Sequence, residues 1–449
     1  MDWLGHAKVS FTHSPTPLTL TKKDGVDSTT TKTDLLKLVE SSVPPCHLNP
    51  LLFNGHLQTF WTAVKDHGPP VHYKRKIFHA GRDAESPVAG SFAVDFVVDP
   101  PREEEEEKTD AELPPRTGYF SEEGLGALER GSDDKRPMLI ALHGLSGGSH
   151  EVYLRCGVAP FLQQQQKKKE GESSSTRSQK WEVCVVNARG CANSKITSGV
   201  LFNARATWDL RLFVKWARKT FPNRPLFAVG FSLGANILTN YVGEEGASCE
   251  LKAAISVGNP FDLEISNKAL QRTVLGKHVY SKTMGNSLKK LIANHKEELL
   301  KTSKLDFERI EGVTYIHEFD RAVQTVIWGY PTETAYYRDA SSSDAVLAIR
   351  IPFLAISALD DPIAVSDALP YEEFKQNPHT VLCTTSLGGH LSWFEAGGGR
   401  WFPKPIYNFL SAMVSEIDLD AITPDSNAKL NGIESVSEFV ATRRKLQLL

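Results

Sequence analysis

The sequence predicts an α/β fold in which a mostly parallel central sheet is flanked by helices on both faces. Three observations support this fold class. Short apolar runs alternate with stretches of helical spacing along most of the chain, which is the pattern of strands joined by helical crossovers. Several of these runs end in turns rich in glycine or aspartate, as at the ligand-binding carboxyl edge of a parallel sheet. A long helical stretch over residues 263–345 then separates two late strands.

The composition is that of an ordinary globular protein, with 41% hydrophobic and 23% charged residues among 449. A net charge of −3 gives no basic surface for nucleic acid. The six cysteines include no C-x-x-C pair, which predicts a reduced, cytoplasmic protein. No signal peptide is recognised, and no run approaches the roughly 20 apolar residues of a membrane span. We therefore expect no transmembrane segment, while peripheral contact with lipid droplets or organelle membranes stays open.

Composition also divides the chain into an N-terminal extension (1–45), one main domain (46–417) and a polar tail (418–449). Two stretches predict flexible surface insertions within the domain, because like charges and low-complexity sequence do not pack into a core. They are residues 99–136, with the acidic run Glu103 to Glu107, and the glutamine- and lysine-rich residues 163–180. The mixed apolar and polar segment 46–64 either docks on the domain or forms a wall of a substrate pocket.

The secondary structure follows from the spacing of apolar residues. The predicted strands are Lys76 to His79, Ser91 to Val98, Pro137 to Leu142, Trp181 to Asn187, Leu226 to Val229, Leu251 to Val257, Pro352 to Ser357 and Thr380 to Thr385. The predicted helices are Asp34 to Glu40, Glu151 to Leu162, Ala204 to Thr220, Ala235 to Val242, Ser366 to Gln376, Ile406 to Glu416 and Val436 to Leu449. The first two strands predict an antiparallel hairpin. The helical stretch 263–345 is expected to form a lid over the carboxyl edge of the sheet.

The stretch from Pro225 to Gly246 organises the rest of the chain. It places the G-x-S-x-G motif Gly230 to Gly234 between a buried strand and a helix. A sharp strand-to-helix turn requires small neighbours and a strained serine, whose hydroxyl is then exposed above the sheet. A tight turn with a capping serine is the alternative. The order strand, motif, helix favours Ser232 as a nucleophile.

A serine nucleophile needs a base, and in the chain order Ser, Asp, His that base comes last. His390 lies in a glycine-flanked loop just beyond a predicted strand, where an imidazole reaches the carboxyl edge of the sheet. By contrast, His278, His295 and His317 lie in helical sequence and are interpreted as surface residues. We predict His390 as the base.

The acid that orients the base is expected in the turn after the strand Pro352 to Ser357. Both Asp360 and Asp361 lie in that turn, ahead of Pro362. A capped turn is the alternative interpretation of the doublet. Local sequence does not choose between the two aspartates.

Backbone amides are expected to form the oxyanion hole. Leu233, the residue after the nucleophile, supplies one N–H, and Leu145 in the glycine-rich loop HGLSGG supplies the other. The alternative for that loop is a simple strand terminator. The sequence carries no zinc-type ligand spacing and no phosphate-binding glycine pattern. We therefore expect neither a metal nor a cofactor.

Together these stretches resemble the YheT-like branch of the α/β-hydrolases (the AB hydrolase 4 type), from about Pro44 to Phe409. The motifs that carry the resemblance are NGHLQT (Asn54 to Thr59), LHGLSGGSHEVYLR (Leu142 to Arg155), NARGCANSKIT (Asn187 to Thr197), GFSLGANILTNYVGEEG, NPFDL (Asn259 to Leu263), DDP and GGHLSWFE (Gly389 to Glu395). The resemblance implies an α/β-hydrolase fold, with Asp361 rather than Asp360 as the acid and His390 as the base. The branch includes bacterial esterases, animal membrane-associated lipid hydrolases and fungal medium-chain fatty-acid ethyl ester synthase/esterases. The animal relatives carry an N-terminal membrane anchor, and none is visible in this sequence. The two insertions of this chain have no counterpart in the family pattern.

We accordingly expect a serine hydrolase that cleaves carboxylic esters of medium-chain fatty acids, of the carboxylesterase or acylglycerol lipase kind. Its partners would be a small acyl ester and water. The alternative is an alcohol O-acyltransferase that makes ethyl esters from acyl-CoA, because both reactions share one acyl-enzyme. A catalytically silent binding protein is a third hypothesis, and the filled Ser, Asp and His positions oppose it. The lysines of residues 263–304 either attract CoA phosphates or anionic lipid, or form a solvated helix face.

Overall fold

The computed structural model describes residues 5–23, 31–65, 67–81, 88–100, 112–169 and 180–422. The strands are β1 (His6–Ala7), β2 (Val9–His13), β3 (Thr19–Thr21), β4 (Lys32–Asp34), β5 (Cys46–His47), β6 (His72–Ala80), β7 (Gly90–Val98), β8 (Thr117–Tyr119), β9 (Met138–Leu142), β10 (Glu182–Asn187), β11 (Leu226–Phe231), β12 (Leu251–Val257), β13 (Phe353–Ala358) and β14 (Thr380–Thr385). The helices are α1 (Leu35–Ser42), α2 (Gly55–Val64), α3 (Glu122–Arg130), α4 (Val152–Lys169), α5 (Trp208–Thr220), α6 (Leu233–Glu245), α7 (Leu263–Arg272), α8 (Lys282–Ala293), α9 (Lys296–Thr302), α10 (Phe307–Glu311), α11 (Ile316–Ala322), α12 (Gln324–Trp328), α13 (Glu333–Ala340), α14 (Tyr371–Gln376) and α15 (Pro403–Glu416).

Within these residues, a ten-stranded sheet has the order β2-β14-β13-β12-β11-β9-β10-β7-β6-β8. The six consecutive strands from β14 to β10 run parallel. Antiparallel pairing adds β2 beside β14 and the hairpin β7-β6 beside β10. The predicted parallel sheet and leading hairpin are therefore confirmed.

Helices cover both faces of the sheet, and strand residues alternate between the two hydrophobic cores. Leu139 and Ala141 of β9 lie in the core that includes α4 and α15, whereas Ile140 and Leu142 lie in the core that includes α5 and α6. Every residue of β9, β11, β13 and β14 is buried. Strands covered on both faces read as continuous apolar runs, which is why the sequence revealed them.

The predicted N-terminal extension packs with the rest of the chain. Strand β2 pairs with β14, placing Thr12 opposite Leu382 and Ser10 opposite Thr384. Helix α1 buries apolar side chains, including Leu35, in the same core as α15. The segment thus supplies one edge of the central sheet.

The prediction of a disordered insertion over residues 99–136 is wrong for the part that the structure describes. Strand β8 pairs with β6, and α3 follows it. The physical reason is packing: Leu113 is buried, and the Phe120 ring lies 5.9 Å from that of Phe96. The acidic run Glu103 to Glu107 lies outside the described residues.

The second predicted insertion, residues 163–180, also begins differently. Helix α4 does not end at Leu162 but continues to Lys169, because glutamine and lysine favour helix and neither glycine nor proline occurs between them. Most of the remaining insertion lies outside the described residues, as does the predicted helix Val436 to Leu449.

Residues 263–345 are helical, as predicted. They include α7 to α13, and a π-helical turn over Gly276–Ser281 joins α7 to α8. None of the helices among the described residues is long and apolar enough to cross a membrane. All six cysteines are free thiols.

Candidate active site

Ser232 occupies the sharp turn between β11 and α6. Its φ of 52° lies in the left-handed region that residues with side chains rarely adopt. The backbone N–H of Ser232 donates to the carbonyl of Val257 at 2.9 Å, which fixes the turn against β12. A Cβ at Gly234 would lie 2.5 Å from the carbonyl oxygen of His143. The motif therefore needs glycine there, and the turn presents the serine hydroxyl at the carboxyl edge of the sheet.

The structure brings Ser232, His390 and Asp361 into one hydrogen-bonded chain. The Nε2 atom of His390 lies 2.9 Å from Ser232 Oγ, and its Nδ1 lies 2.8 Å from Asp361 Oδ2. Because an ionised carboxylate only accepts, Nδ1 carries the proton and Nε2 is left to accept from the serine hydroxyl. This is the geometry that makes a serine nucleophilic.

The two aspartates after β13 have different partners. Asp361 Oδ1 accepts the backbone N–H groups of Ile363 and Ala364 at 2.8 and 2.9 Å, leaving Oδ2 for His390. Asp360 instead accepts the N–H of Gly389 at 2.9 Å, and its Oδ2 has no hydrogen-bond partner among the described residues. Burial raises the pKa of Asp360 to about 6, and the neighbouring charge of Asp361 adds to this. The structure thus places Asp361 at the imidazole and Asp360 behind it.

The loop that carries Leu145 is held in place by His143 and Tyr153. The Tyr153 hydroxyl accepts the N–H of Gly144 at 2.7 Å, so the Gly144 amide is already engaged. His143 Nε2 accepts the N–H of Ala188 at 3.0 Å, and its Nδ1 lies 2.6 Å from the carbonyl of Gly144. His143 is therefore neutral, and burial lowers its pKa to about 4.

The predicted oxyanion donors lie beside the nucleophile. Leu233 is the first residue of α6, so its N–H has no acceptor within the helix and lies at the positive end of the helix dipole. Leu145, Leu233 and Ser232 line one cavity. Both backbone segments therefore border the space beside Ser232 Oγ, and their role as oxyanion donors stays a prediction.

Sequence reasoning missed a buried polar cluster beneath this loop. Arg75 on β6 forms a two-pronged ion pair with Asp95 on β7, at 2.6 and 2.8 Å. Asp95 also accepts from Ser149 Oγ at 2.6 Å and from Asn187 Nδ2 at 2.8 Å. One carboxylate therefore ties the loop after β9 and the last residue of β10 to the hairpin. An aspartate inside the apolar run FAVDFVV was the available signal.

Helix α2 holds the loop of His390 in place. From the sequence, the segment 46–64 was expected either to dock on the domain or to form a wall of a substrate pocket. The Thr59 hydroxyl accepts the backbone N–H of His390 at 2.9 Å, and Gln58 Oε1 accepts that of Phe394 at 2.8 Å. A Cβ at Gly55 would lie 1.8 Å from the carbonyl oxygen of Asp360. The NGHLQT stretch therefore supports both the loop of Asp360 and the loop of His390.

A cavity of about 100 Å³ opens beside Ser232 beneath the helical stretch 263–345. Most of its walls are apolar: Leu145, Phe202, Leu233, Leu263, Leu270, Met284, Leu288, Ile316 and Ile363. Such a surface suits a hydrocarbon chain. Among the described residues, no group of three or more His, Cys, Asp or Glu side chains is placed to hold a metal ion.

Comparison with known proteins identifies a family and several relatives, of which three are described here. The family described as the alpha/beta hydrolase fold matches residues 137–396, which contain Ser232, Asp361 and His390. The chain is 35% identical over 435 residues to the monoacylglycerol lipase of Saccharomyces cerevisiae, covering 91% of each. It is 32% identical over 400 residues to medium-chain fatty acid ethyl ester synthase/esterase 2 of the same yeast, covering 81% of this chain and 85% of the relative. It is 28% identical over 285 residues to phospholipase ABHD3 of Homo sapiens, covering 62% and 64%.

Proposed function

The chain belongs to the α/β-hydrolase fold family as a serine ester hydrolase, and we propose that it cleaves esters of medium-chain fatty acids with Ser232 as the nucleophile. The observation that carries this assignment is the continuous hydrogen-bonded chain from Ser232 through His390 to Asp361. The apolar cavity beside Ser232 supports a fatty acyl group as the part that is bound.

The geometry supports a two-step mechanism. Ser232 Oγ attacks the ester carbonyl while its proton passes to His390 Nε2, and Asp361 stabilises the imidazolium. The amides of Leu233 and Leu145 stabilise the negative oxygen of the tetrahedral intermediate. The alcohol then leaves with the proton from His390, and an acyl group remains on the serine. Water, deprotonated by His390, attacks that acyl-enzyme and releases the fatty acid.

A panel of ethyl esters from butyrate to palmitate tests this proposal. The fatty acid released by the protein is measured for each ester and compared with that released after the protein has been labelled with a fluorophosphonate. We expect cleavage that is fastest near eight carbons and an adduct on Ser232. No adduct in the folded protein would favour the silent binding protein instead. Cleavage that rises steadily towards palmitate would contradict medium-chain specificity.

Acyl transfer to an alcohol is a second candidate, because one relative is named an ester synthase/esterase. The acyl-enzyme is shared, so the outcome depends on whether water or alcohol attacks it. Incubation with octanoyl-CoA and ethanol separates the two. Ethyl octanoate would support the transferase, and free octanoate alone would exclude it.

We further propose that the protein docks on a lipid surface through an apolar rim next to the active site. The rim comprises exposed side chains from two segments: Leu51, Phe53, Phe60, Trp61 and Val64, with Val274, Leu275 and Val279. The His56 ring on α2 stacks on Tyr280, and His56 Nδ1 lies 2.9 Å from the Tyr280 hydroxyl, so the two segments touch. Clustered exposed apolar side chains mark an interaction surface. Lys65 and Lys282 flank these segments in sequence and Lys277 lies within the second one, and all three suit anionic headgroups.

Cosedimentation with phosphatidylcholine vesicles containing phosphatidylserine tests this docking. The variant Phe60→Ser/Val274→Ser should bind several-fold more weakly, because each change removes exposed apolar area that the lipid would cover. Leu300→Ser, at an exposed position on α9, is the matched control. Equal binding by all three proteins would contradict the proposal.

A further inference from the structure

A cationic cluster lies where β8 meets the start of α4. It comprises Arg116 just before β8, His150 two residues before α4, and Arg155 in the first turn of α4. None of these three side chains lines the cavity beside Ser232, and the mechanism of ester cleavage uses none of them. The cationic cluster is therefore separate from the proposed substrate site.

Hydrogen bonds through Tyr73 bring the members of the cluster together. The carbonyl of Arg116 accepts the backbone N–H of Tyr73 at 2.8 Å. The Tyr73 hydroxyl donates to the carbonyl of Ser149, the residue before His150, at 3.0 Å. Arg155 Nε in turn donates to the carbonyl of His150 at 3.0 Å. Strand β6, the start of β8 and the loop before α4 therefore meet at one place.

The two guanidinium groups of the cluster have no counter-charge of their own. Arg155 is 6% exposed and donates to backbone carbonyls, including that of Pro69 at 2.7 Å. In the part of the chain that the structure describes, neither Arg116 nor Arg155 forms an ion pair with a carboxylate. The buried carboxylate of Asp95 is already paired with Arg75. Burying positive charge without a carboxylate partner is costly unless an anion compensates it.

The pKa values of the cluster reflect this crowding. Burial lowers the pKa of Arg155, and the charge of Arg116 lowers it further. Burial also lowers the pKa of His150, and the charges of both arginines add to this effect. A carboxylate oxygen of Glu151 lies 3.9 Å from His150 Nε2, on the opposite side of the ring from Nδ1. Like charges that disfavour one another in this way would be relieved by a bound anion.

Three buried polar atoms at the cluster lack partners. Arg116 Nε, Thr117 Oγ1 and His150 Nδ1 have no hydrogen-bond partner among the described residues. Thr117 is 3% exposed and pairs in register with Tyr73, so both side chains lie on the same face of the sheet. Arg116 has a φ of 61°, a strain that is concentrated at ligand-binding positions. Buried polar atoms are nearly always satisfied in folded proteins, so these three indicate a ligand.

A phosphate group fits this combination of charges and donors. It carries up to two negative charges and several acceptor oxygens, so it can accept from two guanidinium groups and a hydroxyl at once. A carboxylate has one charge and two oxygens, and a hydrocarbon chain has neither. We propose that the cationic cluster, together with Thr117, binds a phosphate group, either free or on a lipid headgroup. This inference does not depend on the proposed function.

Isothermal titration calorimetry with inorganic phosphate measures the affinity. Thr117→Val should weaken binding roughly 3- to 10-fold, the effect of one lost hydrogen bond. Arg116→Gln should weaken it roughly 10-fold or more, because hydrogen bonds to charged groups contribute more. Thr117→Val changes no charge, so it separates a specific site from general attraction to positive charge. Arg130→Gln, at an exposed position on α3, is the matched control and should bind like the wild type.

Cosedimentation with phosphatidylcholine vesicles, with and without phosphatidic acid, distinguishes the two sources of phosphate. Binding of inorganic phosphate that is weakened in Thr117→Val supports a free phosphate. Binding to phosphatidic acid alone, weakened in the same variant, supports a lipid headgroup. Equal affinity of the wild type and Thr117→Val for both probes overturns the inference, as does binding of neither probe. If Arg116→Gln fails to fold, Thr117→Val decides alone.

Discussion

The hydroxyl of Thr59 accepts the backbone N–H of His390 at 2.9 Å, which joins two residues 331 positions apart in sequence. Thr59 lies on α2, the helix that also packs against Asp360 through Gly55. Leu391, immediately after His390, has a φ of 53°, and such strained loops persist only where the surroundings over-determine them. The bond from Thr59 is one of those constraints.

Thr59→Val should therefore lower kcat by roughly 10-fold while changing KM little, since a misplaced base weakens the transition state more than substrate binding. Thr59→Ser keeps the oxygen and should restore most of the rate. Steady-state kinetics on ethyl octanoate measures both. A valine variant as active as the serine variant would reduce Thr59 to a packing role.

Ser232→Ala should lower kcat by roughly 10⁴-fold or more, as removal of a nucleophile does in other triads. It should also abolish fluorophosphonate labelling. Ser248→Ala, at an exposed serine just after α6, serves as the control and should keep full activity. Labelling that survives in Ser232→Ala would identify a different nucleophile.

Asp361→Asn should lower kcat by roughly 10³- to 10⁴-fold, because an amide opposite Nδ1 favours the wrong tautomer of His390. Asp360→Asn should cost less than about 10-fold, since its oxygen can still accept the N–H of Gly389. Activity measured at pH 7.5 on both variants checks this order. The reverse order would assign the acid to Asp360.

Asp360 should also shape the pH dependence of stability. Its pKa is raised from 3.8 in the unfolded chain to about 6 in the folded chain. The folded state then holds more protons across that window, so the contribution of Asp360 to the free energy of unfolding is full below about pH 4 and falls as pH rises through 6.

Urea unfolding at pH 4 and pH 7 gives the free energy of unfolding of the wild type and of Asp360→Asn. The effect is measured as the difference between these two free energies at each pH. That difference should shift by roughly 1–3 kcal/mol in favour of the variant at pH 7. Exposed Asp367→Asn is the matched control and should show no such shift. A constant difference across the window would mean that Asp360 titrates normally.

Asp95→Ala should destabilise the fold by roughly 3–5 kcal/mol, because it leaves the buried guanidinium of Arg75 unpaired. Lys195→Ala breaks an exposed ion pair with Glu112 and should change stability by less than about 1 kcal/mol. Denaturant midpoints compare the two. Similar midpoints would show that the cluster around Asp95 is not structural.

Local sequence was sufficient to predict the structural features that depend on residues close together along the chain. The buried strands β9 and β11 read as apolar runs because both of their faces are covered. The turn at Ser232 needs a glycine at position 234, and the motif shows it. His390 was predicted as the base because its loop directly follows β14.

Features set by distant contacts were not predictable in this way. Asp360 and Asp361 occupy the same turn, and what separates them is the Gly389 amide that engages Asp360. Residues 112–136 looked disordered because their order comes from contacts such as that between Phe120 and Phe96. Ser266 and Gln324 line the cavity beside Ser232 although their helices are distant from it in sequence.

Pairing of β2 with β14 has a consequence for biosynthesis. Ser10 and Thr384 meet across this edge although 374 positions separate them. A ribosome adding about 5–20 residues per second would need roughly 20–75 s to make the intervening chain. Throughout that interval strand β2 has no neighbouring strand to pair with. Ser232 is made later in the same interval, before His390 has been added to the chain. On the proposed mechanism, Ser232 cannot act until His390 has been synthesised.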